Sequence, residues 1–131
     1  MSNRTFYPSK SYGSSRVYAE FSFVTNGSGA PDMTKVDGAD LVASITRSGT
    51  GTFLVKLKDT FNKVVSLVPA LDEVSVPDGA YATAGNVANE ASQTPVQFSV
   101  YTRAAGGTAT DYSGRTVRVS MAFRNGNWGV K

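Results

Sequence analysis

With no histidine and no cysteine in 131 residues, the reactive inventory of this chain is limited to carboxylates, hydroxyls, amines and guanidinium groups. Lack of histidine removes the commonest general base and the commonest transition-metal ligand. Lack of cysteine removes both a disulfide framework and a thiolate metal site. A serine or threonine nucleophile would then need a lysine or a terminal amine as its base. No Ser-x-x-Lys stands in a nucleophile-like context, and Ser44 and Ser66 have no lysine at a suggestive spacing. Asp72 and Glu73 are adjacent, so on a strand they point to opposite faces. A glycosidase pair must instead flank one sugar cleft. Asp32, Asp37 and Asp40 share one loop and offer hard oxygen ligands, but their spacing fits no Asp-x-Asp-x-Asp-Gly calcium loop. No Gly-x-x-x-x-Gly-Lys-Ser/Thr phosphate loop occurs. No catalytic, cofactor-binding or metal residue is assigned, and the chain is expected to act without enzymatic activity.

Binding chemistry is better represented. Arg4, Phe6, Tyr7, Lys10, Tyr12 and Arg16 interleave cations with aromatic rings near the N-terminus. Such a segment can lie across a neighbouring protein, where Tyr and Arg contribute disproportionately, or stack on bases and pair with phosphates. A weakly ordered tail is the plain alternative. Three cations are few for nucleic acid, whose affinity scales with the phosphates neutralised, so no nucleic-acid partner is expected. Charge is unevenly spread: residues 1–16 carry +3, residues 17–102 carry −4 and residues 103–131 carry +4. Basic ends around an acidic middle suit charge-complementary packing against other subunits. At the C-terminal end, Arg124 and Trp128, the one tryptophan, join the candidate contacts.

These residues must be positioned by strands. Leu41 to Arg47 and Thr52 to Lys58 alternate apolar and polar residues around Ser-Gly-Thr-Gly, the pattern of a hairpin with one buried face. Leu41, Ala43 and Ile45 are expected inside on the first run, and Phe53, Val55 and Leu57 on the second. Val17, Ala19, Phe21 and Phe23 form the inward set of an earlier strand. Val96, Phe98 and Val100 do so later, with Gln97, Ser99 and Tyr101 outward, and Val117, Val119, Met121 and Phe123 do so last. Val64 to Pro69 reads as a strand whose proline belongs at an end or on an edge. Residues 72–94 give no clear period; a loop and one to three helical turns both fit Ala80 to Ala91. The count is six or seven strands with little helix. It predicts a single-domain, all-β antiparallel sandwich or small barrel, jelly-roll-like, over residues 17–131, with an extended basic and aromatic arm over residues 1–16. Tyr18, Leu54 and Tyr101 on the outward positions hint at a second buried surface, as an oligomer interface would supply.

No apolar run approaches the roughly 20 residues that span a bilayer. The first residues lack an apolar signal core, so a soluble, unprocessed chain is expected. The stretch Ala43-Ser-Ile-Thr-Arg-Ser-Gly-Thr-Gly-Thr-Phe-Leu-Val-Lys-Leu-Lys-Asp59 resembles a recurring segment in small virion proteins of tailed bacteriophages. Their C-terminal Gly-Thr-Ala-Thr-Asp loop and following strand are similar to Gly107-Thr-Ala-Thr-Asp111 and Thr116 to Asn125 here. The resemblance covers residues 41–125. It implies a decoration or cement protein of the head, often trimeric, made in the host cytoplasm and bound to the major capsid protein on the outer capsid. A tail or head–tail component is the alternative within virion proteins. A carbohydrate- or host-surface-binding sandwich is another, using Tyr81, Tyr101, Tyr112 or Trp128.

Overall fold

The computed structural model of the chain describes residues 10–12 and 16–124. Eight strands alternate with loops: β1 (Lys10–Tyr12), β2 (Arg16–Asn26), β3 (Val42–Gly49), β4 (Thr52–Leu57), β5 (Lys63–Leu71), β6 (Tyr81–Ala88), β7 (Gln97–Arg103) and β8 (Ser113–Arg124). A 3-10 turn, Met33–Lys35, is the one helical element among the described residues. The strands form two antiparallel sheets, ordered β1-β2-β8-β5 and β3-β4-β7-β6. The all-β sandwich expected from the alternation is what the chain builds.

The period-2 pattern explains the layers. Register pairs Val17 with Phe123, Ala19 with Met121, Phe21 with Val119 and Phe23 with Val117, so β2 and β8 turn one continuous apolar face inward. All eight of these residues are buried. Ile45, Phe53, Val55, Leu57, Phe98 and Val100 meet them from the second sheet. Rings lock the layers: Phe23 meets Phe53 edge-on at 5.2 Å between centroids, and Phe21 lies 6.3 Å from Phe98. Each fully buried Phe contributes about 1.5–3 kcal/mol by leaving water. At one seam Phe61 stacks on Phe123 at 3.9 Å, and the Val64 N–H donates to the Glu90 carboxylate at 2.6 Å. Pro69 lies in β5, an edge strand, where its missing N–H costs no ladder bond.

Four expectations need correction. The strands number eight among the described residues. Tyr81–Ala88 is neither loop nor helix but β6, paired from Tyr81 with Arg103 to Ala88 with Gln97. Its Ala, Gly and Asn content hides this, because pairing and the burial of Ala84 and Val87 against the core outweigh weak intrinsic strand preference. A bulge between Val42 and Ser44 shifts the phase of β3, so Val42 is buried and Ala43 exposed. Ser99 sits at an outward register position yet is buried, with central β7 flanked by β4 and β6.

Candidate functional site

The Arg-Ser-Gly-Thr-Gly turn of residues 47–51 and the Gly-Thr-Ala-Thr-Asp loop of residues 107–111 are far apart in sequence and meet in space. Arg47 pairs with Phe53 in register at the end of β3, in the phase of the core. Its guanidinium is satisfied by Asp111: Nε donates to Oδ1 at 3.0 Å and Nη2 to Oδ2 at 2.7 Å. The Gly51 N–H adds a third bond to Oδ1 at 2.8 Å. Thr102 closes the contact, its N–H donating to the Gly51 carbonyl and its hydroxyl to the Thr110 carbonyl. The Arg-Ser-Gly-Thr-Gly turn and the Gly-Thr-Ala-Thr-Asp loop are therefore one interlocked structure. Hydrogen bonds from Arg47, and then from Gly51, hold the Asp111 carboxyl below its ordinary value.

A second lock is built on Arg115, the one buried charge among the described residues. Its guanidinium donates to the Asp72 carbonyl at 2.7 Å and to the Asp78 carboxylate at 2.9 Å, and covers the Tyr112 ring at 4.8 Å. Arg118 binds the Asp72 carboxylate through two bonds, of 2.8 and 3.1 Å. Asp72 and Asp78 are likewise held below their ordinary values: Asp72 chiefly by Arg118, Asp78 chiefly by the Ala80 N–H and further by Arg115. A general acid needs the opposite, a carboxyl raised toward working pH. Asp32 is spent on its own loop, accepting from the Thr34 hydroxyl and N–H at 2.7 and 2.9 Å. Among the described residues, no group of three or more acids could hold a metal ion.

One open surface for recognition is the outer face of the β1-β2-β8-β5 sheet. No helix lies on it among the described residues. Cross-strand rows run over β2, β8 and β5: Arg16–Arg124–Lys63, then Tyr18–Ala122–Ser66, then Glu20–Ser120–Val68. Tyr18 is 53% exposed and Val68 58% exposed, and Val65 at the β5 bulge is exposed beside them. Of the residues singled out by sequence, Arg16 and Arg124 are brought into one register pair. Lys10 and Tyr12 lie in β1, opposite Ala19 and Val17. Arg4, Phe6, Tyr7 and Trp128 lie outside the described residues. Lys63 and Val68 were not singled out, since only the β5–β8 pairing places them beside Arg124 and Ser120. Among the tyrosines considered for sugar stacking, Tyr101 and Tyr112 each have a ring contact with an arginine, Arg103 at 5.2 Å and Arg115 at 4.8 Å. Tyr81 remains partly exposed.

Compared with protein-family models, curated proteins and solved structures, the chain matches none of them.

Proposed function

We propose that this chain is a non-enzymatic structural virion protein of the decoration or cement type, docking on the outer capsid and stabilising the shell. The observation that carries the reading is the uncovered outer face of the β1-β2-β8-β5 sheet, where Tyr18, Val65 and Val68 stand exposed beside Arg16, Arg124 and Lys63. Contiguous exposed apolar residues rimmed by charge mark interaction surfaces. The major capsid protein and further copies of the chain, as a trimer, are the partners this reading requires. Two features support a structural role. The interlocked Arg47–Asp111 loops rigidify one end of the sandwich, and Asp32, Asp72, Asp78 and Asp111 are engaged in ion pairs or a cap. Apolar burial supplies affinity on such a face, and charge complementarity sets register. The test is co-sedimentation with shells assembled from the major capsid protein of the same genome, alongside the mass of the free protein. Retention on the shell supports the reading, and a monomer that stays in the supernatant overturns it.

A further inference from the structure

At one end of the outer face three cations stand side by side. Register pairs Arg16 with Arg124 and Arg124 with Lys63, so all three occupy one row on the same face of adjacent strands. Cβ atoms of directly opposed residues are about 5 Å apart, and like charges in that position destabilise a sheet. Arg47–Asp111, Arg115–Asp78 and Arg118–Asp72 are ion pairs of the described residues, and none includes a member of this row. The Glu90 carboxylate, close to β5, is turned to the Val64 N–H at 2.6 Å. Arg124 Nε is the only buried side-chain polar atom among the described residues without a hydrogen-bond partner. The in-register cations have no counter-charge among these ion pairs, and an anionic ligand on the row would supply one.

We infer that Arg16, Arg124 and Lys63 form a carboxylate-docking row that receives an acidic segment of a partner protein. The inference rests on the docking-face reading and names its chemistry. The row crosses the strands and is about 10 Å wide, matching two or three carboxylates of a short segment rather than a long phosphate track. Beyond it the face turns apolar and then acidic, with Tyr18 and Ala122 in the next row and Glu20 beside Ser120 and Val68 in the one after. A nucleic-acid backbone continuing along the strands meets Val68 and the Glu20 carboxylate within about 14 Å. A protein segment finds carboxylate partners first and apolar contact next. Arginine adds bidentate geometry that matches carboxylates.

Fluorescence anisotropy of the full chain with a labelled decaglutamate peptide and with a labelled thymidine decanucleotide tests this. The native protein is expected to bind the peptide more tightly than the oligonucleotide. Arg16→Glu and Lys63→Glu, both at exposed positions, are each expected to weaken peptide binding about tenfold. Relief of like-charge contact keeps their thermal midpoints at or above the native value. Unchanged peptide affinity in both folded variants overturns the row, and tighter oligonucleotide binding that both variants abolish overturns its protein partner. Shell binding separates the two claims. Variants that lose the peptide yet keep native shell occupancy overturn the row's role and leave the docking face standing. A native protein that binds peptide but ignores shells supports the row and overturns the virion reading.

Discussion

At the scale of single residues, Gly51 and Gly49 show how one turn can contain two very different glycines. Gly51 has φ of +61°, and an added Cβ would lie 2.6 Å from both the Thr102 carbonyl oxygen and the Thr110 nitrogen. Those atoms are backbone held by the Arg47–Asp111 lock, so they have no cheap way to yield. Gly49 has open space where its Cβ would be. Gly51→Ala is expected to cost about 3 kcal/mol or more, and Gly49→Ala to stay within about 0.5 kcal/mol. Urea midpoints of the two variants check the contrast, and equal losses would contradict the lock. The sequence marks both glycines as turn formers but does not distinguish them. The distinction arises from Thr102 and Thr110, more than fifty residues away in the chain. Arg115 was hidden for the same reason. It lies two residues before Val117, in phase with the buried face, and only distant partners, Asp72 and Asp78 beside nearby Tyr112, make the burial of its charge tolerable.

At the scale of elements, alternation located β2, β4, β7 and β8 together with their buried faces, because each keeps strict period 2 through its core-facing residues. It failed where the backbone departs from that period. The bulge in β3 makes Val42 core and Ala43 surface, which yields a matched pair of substitutions. Val42→Asp is expected to lose about 3 kcal/mol or more by burying a charge, whereas Ala43→Asp should change stability by no more than about 0.5 kcal/mol. Chemical denaturation of both separates the bulged register from regular pairing, in which the ranking reverses. The loop lock gives a pH dependence. Asp111, Asp72 and Asp78 are held below the ordinary carboxylate value of 3.8, so the folded state binds fewer protons there than the unfolded chain. Their contribution is complete above that value and is lost as pH falls through the lower folded values. The thermal midpoint should therefore be flat between about pH 8 and 5 and drop below about pH 4. Asp111→Asn is expected to lower the plateau and make the acid drop shallower. An unchanged acid limb in that variant would falsify the assignment to Asp111.

At the scale of the whole molecule, the sandwich is closed by strands from opposite ends of the chain, β2 and β8, whose pairing runs from Arg16–Arg124 to Asn26–Ser113. That pairing also assembles the outer face, and it explains why the candidate site was only half legible. Basic residues near both ends could be read as contacts, and Arg16 and Arg124 do meet. Lys63, Val65 and Val68 become part of the same surface only through β5, which no local pattern ties to β8. The central claim is that this face docks on a capsid, and Val68 tests it with least disturbance to the fold because it is 58% exposed on an edge strand. The deciding measurement is occupancy of native and Val68→Glu protein on shells of the major capsid protein from the same genome, at matched thermal midpoints. Near-complete occupancy of the native protein and a loss of about tenfold in the variant is the expected result. Equal occupancy of the two would contradict the docking face.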